Sequence, residues 1–255
     1  MGLNEVLLFV EAVVCASIVV AVWKLDKERL LGLIAVALIL IATTGGKLIT
    51  VFGHTTNAGN IFYAAIFLAT YFLIERYGRK EGVRAIWWGA IALLSFLALA
   101  ELSVAFVGSG ETALFDAALF DVFARAPRVA FASLIAYAAA QSLNVYLYGY
   151  LKRRLAGLYL WLRANAANAL AQVLDSTVFF SVAFVGVVAP PNVLDIILTG
   201  YLIKVVFVML ASPLLYLNTL EEDEEDGQPA VTLRYDLLSW FAPKPARGIE
   251  ADADT

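Results

Sequence analysis

Cysteine, histidine and charged residues are scarce in this sequence of 255 residues, and each shortage excludes a class of protein. Cys15 is the single cysteine, so an intrachain disulfide is impossible. His54 is the single histidine and has no metal-ligand residues beside it, so we interpret it as a polar loop residue. Charged residues make up 16% of the chain, whereas soluble domains usually carry about 25%. A soluble globular domain is therefore excluded.

Phosphate-binding and catalytic signatures are also missing. The glycine pair before Lys47 is not a phosphate-binding loop, because Ile41 stands where the first glycine belongs and Leu48 stands where Ser or Thr is needed. No Ser/His/Asp or Cys/His arrangement provides an activated nucleophile. We therefore expect no enzyme activity, no cofactor, no metal site and no nucleic-acid partner.

Apolar residues dominate instead, with 62% hydrophobic residues and a mean hydropathy of +0.80. Runs of roughly 17–25 residues, which suffice to cross a bilayer as a helix, occur seven times. They lie near residues 6–23, 30–51, 59–75, 85–107, 129–150, 166–188 and 194–217. The sequence predicts an all-α polytopic membrane bundle over residues 1–220 with seven transmembrane helices, six being the alternative. The lipid bilayer is thus its first partner.

The segments between and after these runs carry their own signals. The glycine pair at 45–46 predicts a break late in the second run. Residues 109–127 are amphipathic and are expected to form a helix on the surface or over the bundle. Pro190 and Pro191 predict the turn between the last two runs, because proline cannot continue a helix. Residues 221–255 begin with an acidic run and are expected to form a disordered cytoplasmic tail.

The distribution of lysine and arginine predicts the orientation in the membrane. If the amino terminus is external, most of the 18 basic residues fall in internal segments, and only Arg125 and Arg128 fall in external loops. Lys47 and Lys204 are then intramembrane residues. This bias predicts an external amino terminus and an internal carboxyl terminus, and we expect the plasma membrane as the location.

Polar side chains follow one face of the fifth and sixth runs at steps of three and four residues. The first set is Ser133, Tyr137, Gln141, Asn144 and Tyr148, and the second is Asn165, Asn168, Gln172 and Asp175, continued by Phe179. Such spacing puts each set on one face of a helix. Because an unsatisfied polar group in lipid costs several kcal/mol, both faces are expected to turn inward.

Intramembrane charges add to this polar interior. A charge within the membrane costs on the order of 3 kcal/mol even on the insertion scale, which favours either structural ion pairs or a ligand site. The pairs would be Lys204 with Asp175 and Lys47 with Glu101. Amides, aromatic rings, a carboxylate and a lysine together suit a small, planar, polar heterocycle. The candidate substrate-binding residues are Lys47, Tyr137, Gln141, Asn144, Asn168, Gln172, Asp175 and Lys204.

Four segments between Lys47 and Tyr216 carry a family resemblance. Their main residues are Phe52-Gly53, Ala58-Gly59-Asn60, Tyr63 and Glu75-Arg76-Tyr77-Gly78; Ala132-Ser133-Leu134, Tyr137, Gln141 and Asn144; Trp161-Leu162-Arg163, Asn165, Gln172, Asp175-Ser176 and Phe179; and Lys204 with Pro213. In this order and spacing the chain resembles the queuosine-precursor transporters, which are vitamin-uptake-like membrane transporters. It departs from that family at Tyr71, where an acid is frequent, at Asn144, where aspartate is frequent, and at Ala167-Asn168, where Ser-Thr is frequent.

The resemblance implies uptake of a 7-deazaguanine, such as the cyano or aminomethyl precursor of queuosine and archaeosine. Asp175 and Lys204 would then contact this heterocyclic substrate, and the amides of the two stripes would read its ring edge. Facilitated transport and transport coupled to a proton or cation both stay open. The alternative is a substrate-binding subunit of an ATP-driven vitamin uptake system. A retinal-binding photoreceptor is disfavoured, because the third run offers no mid-depth acid as counterion.

Overall fold

A computed structural model describes residues 2–155, 158–186 and 190–217, which are almost entirely helical. The helices are α1 Leu3–Trp23, α2 Lys27–Thr44, α3 Asn60–Tyr77, α4 Arg79–Val104, α5 Ala113–Arg154, α6 Leu160–Phe184 and α7 Pro190–Ala211. Strands β1 Leu48–Val51 and β2 His54–Asn57 form an antiparallel hairpin, and Gly110–Thr112 and Ser212–Leu215 are short 3-10 segments. The predicted all-α class is confirmed.

Helix α3 lies at the centre of the bundle. Every side chain from Tyr63 to Ile74 is buried, as expected for a helix that is apolar on all sides. Helices α1, α2, α4 and α7 pack around it. At the end of α1, for example, the ring of Trp23 lies 4.9 Å from that of Phe72. The central position of α3 allows its two ends to take part in two separate polar clusters.

Four of the described helices are long and apolar enough to cross a membrane by length and composition alone. They are Leu3–Trp23, Arg79–Val104, Leu160–Phe184 and Val193–Leu215. Their outward faces carry large exposed apolar side chains, such as Phe9 and Leu210, which would be unfavourable in water. The prediction of a polytopic membrane bundle is confirmed at this level, and the count of seven crossings stays a prediction.

The second apolar run divides at its glycine pair. Helix α2 ends at Thr44 with Gly45 as its C-cap, and residues 48–51, predicted as helix, form β1 instead. The hydroxyl of Thr44 donates to a carbonyl of the preceding turn at 2.6 Å and helps to close the helix end. Phe52 and Gly53 join the strands with positive φ, the geometry of a two-residue type I′ turn. The predicted break is confirmed, and the predicted end of the helix is wrong.

Helix α5 continues without interruption from Ala113 to Arg154. At a rise of about 1.5 Å per residue it extends for about 63 Å, roughly twice the hydrocarbon core of a bilayer. Leu114 and Phe115 in its first turns are exposed. The prediction of helix in 109–127 is correct from Ala113 onward, but this helix is an extension of α5 rather than a separate surface element.

Proline residues mark both ends of α7. The helix begins at Pro190, so Pro190 and Pro191 occupy its first turn, where a missing N–H is tolerated, and the predicted proline turn is wrong. At the other end, the 3-10 segment Ser212–Leu215, which contains Pro213, replaces the last α-helical turn. The predicted tail at 221–255 lies outside the described residues.

Candidate functional site

Both polar faces turn into the bundle, as their periodicity predicts. The buried members are Ser133, Tyr137, Gln141, Asn144 and Tyr148 on α5, and Asn168, Gln172, Asp175 and Phe179 on α6. Asn165 is partly buried and donates to the hydroxyl of Ser212 at 2.9 Å. Helix α7 contributes Lys204, which is also buried. Amide and charged groups from three helices therefore share one interior.

Lys204 and Asp175 form a buried ion pair between α7 and α6. The Lys204 ammonium donates to Asp175 Oδ2 and, at 3.3 Å, to Ser176 Oγ. It also lies 4.8 Å from the ring centre of Tyr63 and 5.4 Å from that of Phe180. Removing two charges from water costs several kcal/mol for each ion, and these contacts offset that cost. The pair predicted from sequence is confirmed.

A small cavity lies beside this pair. Its walls are Ile41, Asn57, Gly59, Asn60, Tyr63, Ser133, Asp175, Phe179 and Lys204. Its volume of about 10 Å³ suffices for about one water molecule. Two of the predicted site residues, Asp175 and Lys204, reach this wall. The cavity therefore marks the place where the predicted residues meet groups from the hairpin, α2 and α3.

Asn57, Asn60 and Tyr63 are wall residues that the sequence argument did not include as substrate contacts. Asn57 ends β2, and Asn60 and Tyr63 lie three residues apart at the start of α3, a spacing that would have indicated a shared helix face for these two. Asn60 Nδ2 donates to Thr56 Oγ1 at 2.6 Å and to the Asn57 carbonyl at 3.2 Å. These two bonds fix the orientation of the Asn60 amide, so that its nitrogen points towards the hairpin.

Several polar atoms around the cavity have no hydrogen-bond partner. They include the Oδ1 atoms of Asn57, Asn60 and Asp175, and further along α6 they include Asn168 Nδ2 and Gln172 Oε1. A buried polar atom without a partner costs about 1–3 kcal/mol, and native proteins contain few of them. Such a concentration around one cavity is typical of a site that binds a polar ligand.

Comparison with known proteins decides between the function classes left open by this geometry. The family described as "Putative vitamin uptake transporter" matches residues 57–218. The chain belongs to this family. It is also 34% identical over 171 residues to a "Probable queuosine precursor transporter" of Bacillus subtilis (strain 168), which covers 67% of this chain and 74% of that protein. No solved structure gives a significant match.

Family membership confirms the resemblance predicted from sequence. This is a family of transporters rather than enzymes, and together with the apolar helices it makes the chain a multi-pass membrane protein. The matched region begins at residue 57. Most of the cavity wall, from Asn57 to Lys204, lies inside that region, whereas Ile41 precedes it together with α1 and β1.

In this transporter the α5 amides are satisfied by neighbouring helices. Tyr71 donates its hydroxyl to Asn144 Oδ1 at 2.8 Å and to the Ala164 carbonyl at 3.0 Å. Asn144 Nδ2 donates to Gln141 Oε1, and Gln141 Nε2 donates to Thr70 Oγ1, both at 3.3 Å. This chain of bonds joins α3, α5 and α6. Gln141 and Asn144, predicted to read the substrate, are therefore not part of the cavity wall in this conformation.

Tyr137 and Lys47 also lie away from the cavity. The Tyr137 hydroxyl donates to the Ala85 carbonyl on α4 at 2.9 Å. It sits over Gly89, where an added Cβ would lie 2.6 Å from the hydroxyl oxygen. Lys47 follows the end of α2 and is exposed, as is Glu101 on α4. Within the described part of the chain these two residues form no ion pair, contrary to the predicted pairing.

The carboxyl-terminal end of α3 carries a second polar cluster in the transporter. Glu75 Oε1 accepts the hydroxyl of Tyr148 at 2.7 Å and lies 3.3 Å from Lys152 Nζ. Its second oxygen lies 3.5 Å from Arg163 Nη2, and the buried Arg163 guanidinium lies 5.5 Å from the Tyr148 ring. This cluster is about 18 Å along α3 from Tyr63 at about 1.5 Å per residue. Charged groups therefore close the end of the bundle opposite the cavity.

The β-hairpin covers the cavity end of the transporter and is attached to the first and last helices. Asp195 on α7 accepts the Thr55 backbone N–H at 2.9 Å and lies 2.8 Å from His54 Nδ1. Glu5 on α1 accepts the Phe52 backbone N–H at 2.8 Å. Because β2 ends at Asn57 in the cavity wall, any opening of this end requires these bonds to break or the hairpin to move with its helices.

Proposed function

We propose that the protein takes up a small planar heterocycle across the plasma membrane, and that the substrate is a 7-deazaguanine precursor. The observation that carries this proposal is the buried Asp175–Lys204 pair beside a small cavity with unpaired amide and carboxylate oxygens. Family membership and the name of the Bacillus subtilis relative support the same substrate class. Polar charged groups inside a helical membrane bundle are typical of transport pathways.

The wall chemistry suits a guanine-like ring. The ring N–H and exocyclic amine are donors, and the Oδ1 atoms of Asn60 and Asp175 are acceptors without partners. The ring carbonyl is an acceptor, and the Lys204 ammonium is a donor for it. Phe179 and Tyr63 provide aromatic faces on which a flat ring can stack. Asn168 and Gln172, which are buried further along α6 and share a hydrogen bond of 3.3 Å, lie outside this wall, and we propose that they meet the ring when the cavity opens.

Substrate entry requires the cavity to open, because a volume of about 10 Å³ is far below the hundreds of Å³ of ordinary ligand pockets. We therefore propose that this conformation does not yet admit the substrate. The bonds from Asp195 to the β-hairpin, which we call the hairpin clasp, are proposed as the outer barrier. The Glu75–Arg163 cluster is proposed as the inner barrier. Opening of one barrier at a time would give alternating access.

We further propose seven membrane crossings with the amino terminus outside. The seven long helices of the described residues and the sequence bias of lysine and arginine support this topology. It puts the hairpin outside and the Glu75–Arg163 cluster inside. Substrate would then pass from Asn57 at the outer end of α3 towards Glu75 at its inner end.

Uptake by purified protein in liposomes tests the proposal directly. Labelled 7-deazaguanines are expected to accumulate without ATP, and an imposed proton or sodium gradient then distinguishes facilitated from coupled transport. No uptake in liposomes, combined with ATP-dependent uptake in cells and co-purification of an ATPase, would support the binding-subunit alternative. Absence of any binding or uptake of these compounds would contradict the proposed substrate class.

Asp175→Asn is expected to lower the initial uptake rate at least about tenfold, because a substrate hydrogen bond to a charged group is worth about 1.5–3 kcal/mol and about 1.4 kcal/mol is a factor of ten. The matched control is Glu28→Gln, which changes a carboxylate whose side chain is 59% exposed. Rates are compared at equal amounts of folded protein in the membrane. Unchanged uptake by Asp175→Asn would remove Asp175 from the site.

A further inference from the structure

The Lys204 ammonium is enclosed by a set of groups that matches the general chemistry of ammonium recognition. Asp175 supplies a carboxylate, Ser176 a hydroxyl, and Tyr63 and Phe180 supply ring faces 4.8 and 5.4 Å from the nitrogen. Aromatic faces combined with an anion are the usual elements of an organic-cation site. We call these four residues the ammonium cage.

The cage belongs to α3 and α6, whereas its occupant belongs to α7. Gly200, one turn before Lys204, makes this packing possible. A Cβ at Gly200 would lie 2.6 Å from Phe180 Cε2, so any larger residue would displace the Phe180 ring. The cage walls and the lysine that fills them are therefore separate parts of the molecule and can separate when α7 moves relative to α6.

The cavity beside the cage presents three unpaired acceptor oxygens and, as an unpaired donor, the Tyr63 hydroxyl. The Asn60 amide nitrogen is used by Thr56 and Asn57, which leaves Asn60 Oδ1 without a partner. The Oδ1 atoms of Asn57 and Asp175 are also unpaired. The cationic donor on this wall, Lys204, is already bound within the cage. A ligand with several N–H donors or a positive charge would satisfy this wall better than one that offers only acceptors.

We propose that the cage is a binding site for primary ammonium groups, that Lys204 occupies it in this closed conformation, and that an amine-bearing substrate displaces Lys204 on binding. The second part rests on the proposed transport function. The exchange of one ammonium for another keeps the charge beside Asp175 constant, so the carboxylate is never buried alone. Release of Lys204 would also remove a link between α6 and α7. The transporter would thus favour an aminomethyl heterocycle over its cyano counterpart.

Small amines test the cage without any transport measurement. In purified Lys204→Ala the cage loses its occupant, and propylammonium is expected to raise the unfolding midpoint in a concentration-dependent manner. Wild-type protein, whose cage is filled, should shift much less, and so should Lys204→Ala/Asp175→Asn.

The neutral compound propanol and the variant Lys80→Ala, which lacks an exposed lysine, are controls. Lys204→Ser, which also leaves the cage empty, provides a second variant if the alanine variant does not fold. The proposed cage would be contradicted by equal shifts in wild type and Lys204→Ala. It would also be contradicted if the folded variant that lacks the Lys204 side chain showed no shift.

Binding of paired heterocycles tests the displacement. The aminomethyl 7-deazaguanine is expected to bind wild type about 10–100-fold more tightly than the cyano compound, since a hydrogen bond to a charged group is worth about 1.5–3 kcal/mol. Gly200→Ala, which displaces Phe180, should reduce this ratio. Equal or stronger binding of the cyano compound would overturn the displacement. If propylammonium raises the unfolding midpoint of Lys204→Ala but neither heterocycle binds, the cage proposal is supported. The proposed transport function is then contradicted.

Discussion

Asn144 and Tyr71 illustrate at the residue scale how a polar position can serve the fold rather than the ligand. The family resemblance predicts acids at both positions, and in the structure the two residues are joined by a hydrogen bond of 2.8 Å. A hydroxyl and an amide satisfy each other without a charge, so this contact needs no counterion. The polar interior therefore separates into a saturated network on α5 and an unsaturated wall around Asp175.

Tyr71→Phe removes this hydroxyl and leaves Asn144 Oδ1 without its donor. We expect the free energy of unfolding to fall by about 1–2 kcal/mol, the cost of one interhelical hydrogen bond and a buried unpaired acceptor. Thermal unfolding in detergent measures the change. Tyr146→Phe is the control, because Tyr146 is exposed. A stability equal to that of the control would show that the network contributes nothing.

The polar stripes could be predicted from the sequence, but their roles could not. A period of 3.6 residues identifies the face on which Gln141, Asn144 and Asp175 lie, because the period is local information. Whether an amide is already satisfied depends on partners such as Tyr71, which is 73 residues from Asn144. The sequence does predict the ion pair of Lys204 with Asp175, because opposite charges at the same depth in a membrane have few other ways to be compensated.

At the scale of elements, small residues determine how closely the helices approach. Gly89 on α4 faces Tyr137 on α5 and Leu38 on α2, and an added Cβ would lie 2.6 and 2.7 Å from their side-chain atoms. Gly32 on α2 has nothing within 4 Å of the same position. The two glycines therefore form a natural comparison between a packed and an open site within the same bundle.

Gly89→Ala is expected to destabilise the protein by about 1–3 kcal/mol, because the methyl group overpacks the contact between three helices. Gly32→Ala should instead be neutral or stabilising by up to about 1 kcal/mol, since alanine favours a helix over glycine. Unfolding midpoints of the two variants give the comparison. Recovery of part of the loss in Gly89→Ala/Tyr137→Phe would confirm the clash with the hydroxyl. Equal midpoints for the two glycine variants would contradict the packing argument.

Element boundaries were less predictable than element types. The strand at 48–51 pairs with β2, and the hairpin is held by a bond from α1 to Thr50 and a bond from Thr55 to α7, none of which a run of apolar residues reveals. The extension of α5 back to Ala113 was missed, because hydropathy separates membrane from water but not helix from helix. Pro190 was assigned to a turn, although a first helical turn accepts proline equally well.

For the whole molecule, the proposed topology of seven crossings with an external amino terminus makes predictions that can be checked. In a Cys15→Ala background, which removes the only cysteine, Asn4→Cys is expected to react with a membrane-impermeant maleimide from outside intact cells. Alkaline phosphatase fused after Gly110 should be active, and the same enzyme fused after Lys80 should be inactive. Activity after Lys80, or protection of Asn4→Cys, would contradict seven crossings with an external amino terminus.

The attachment of the hairpin to α1 has a practical consequence for handling this protein. Asn4 donates to the Thr50 carbonyl at 2.9 Å, and Glu5 holds the neighbouring turn. An affinity tag or fusion partner joined to the amino terminus would lie directly beside these contacts. We expect it to weaken the bonds between α1 and the hairpin. Tags for expression of this transporter are therefore better placed at the carboxyl end. A lower uptake rate with amino-terminal tags would indicate that the contacts between α1 and the hairpin matter for transport.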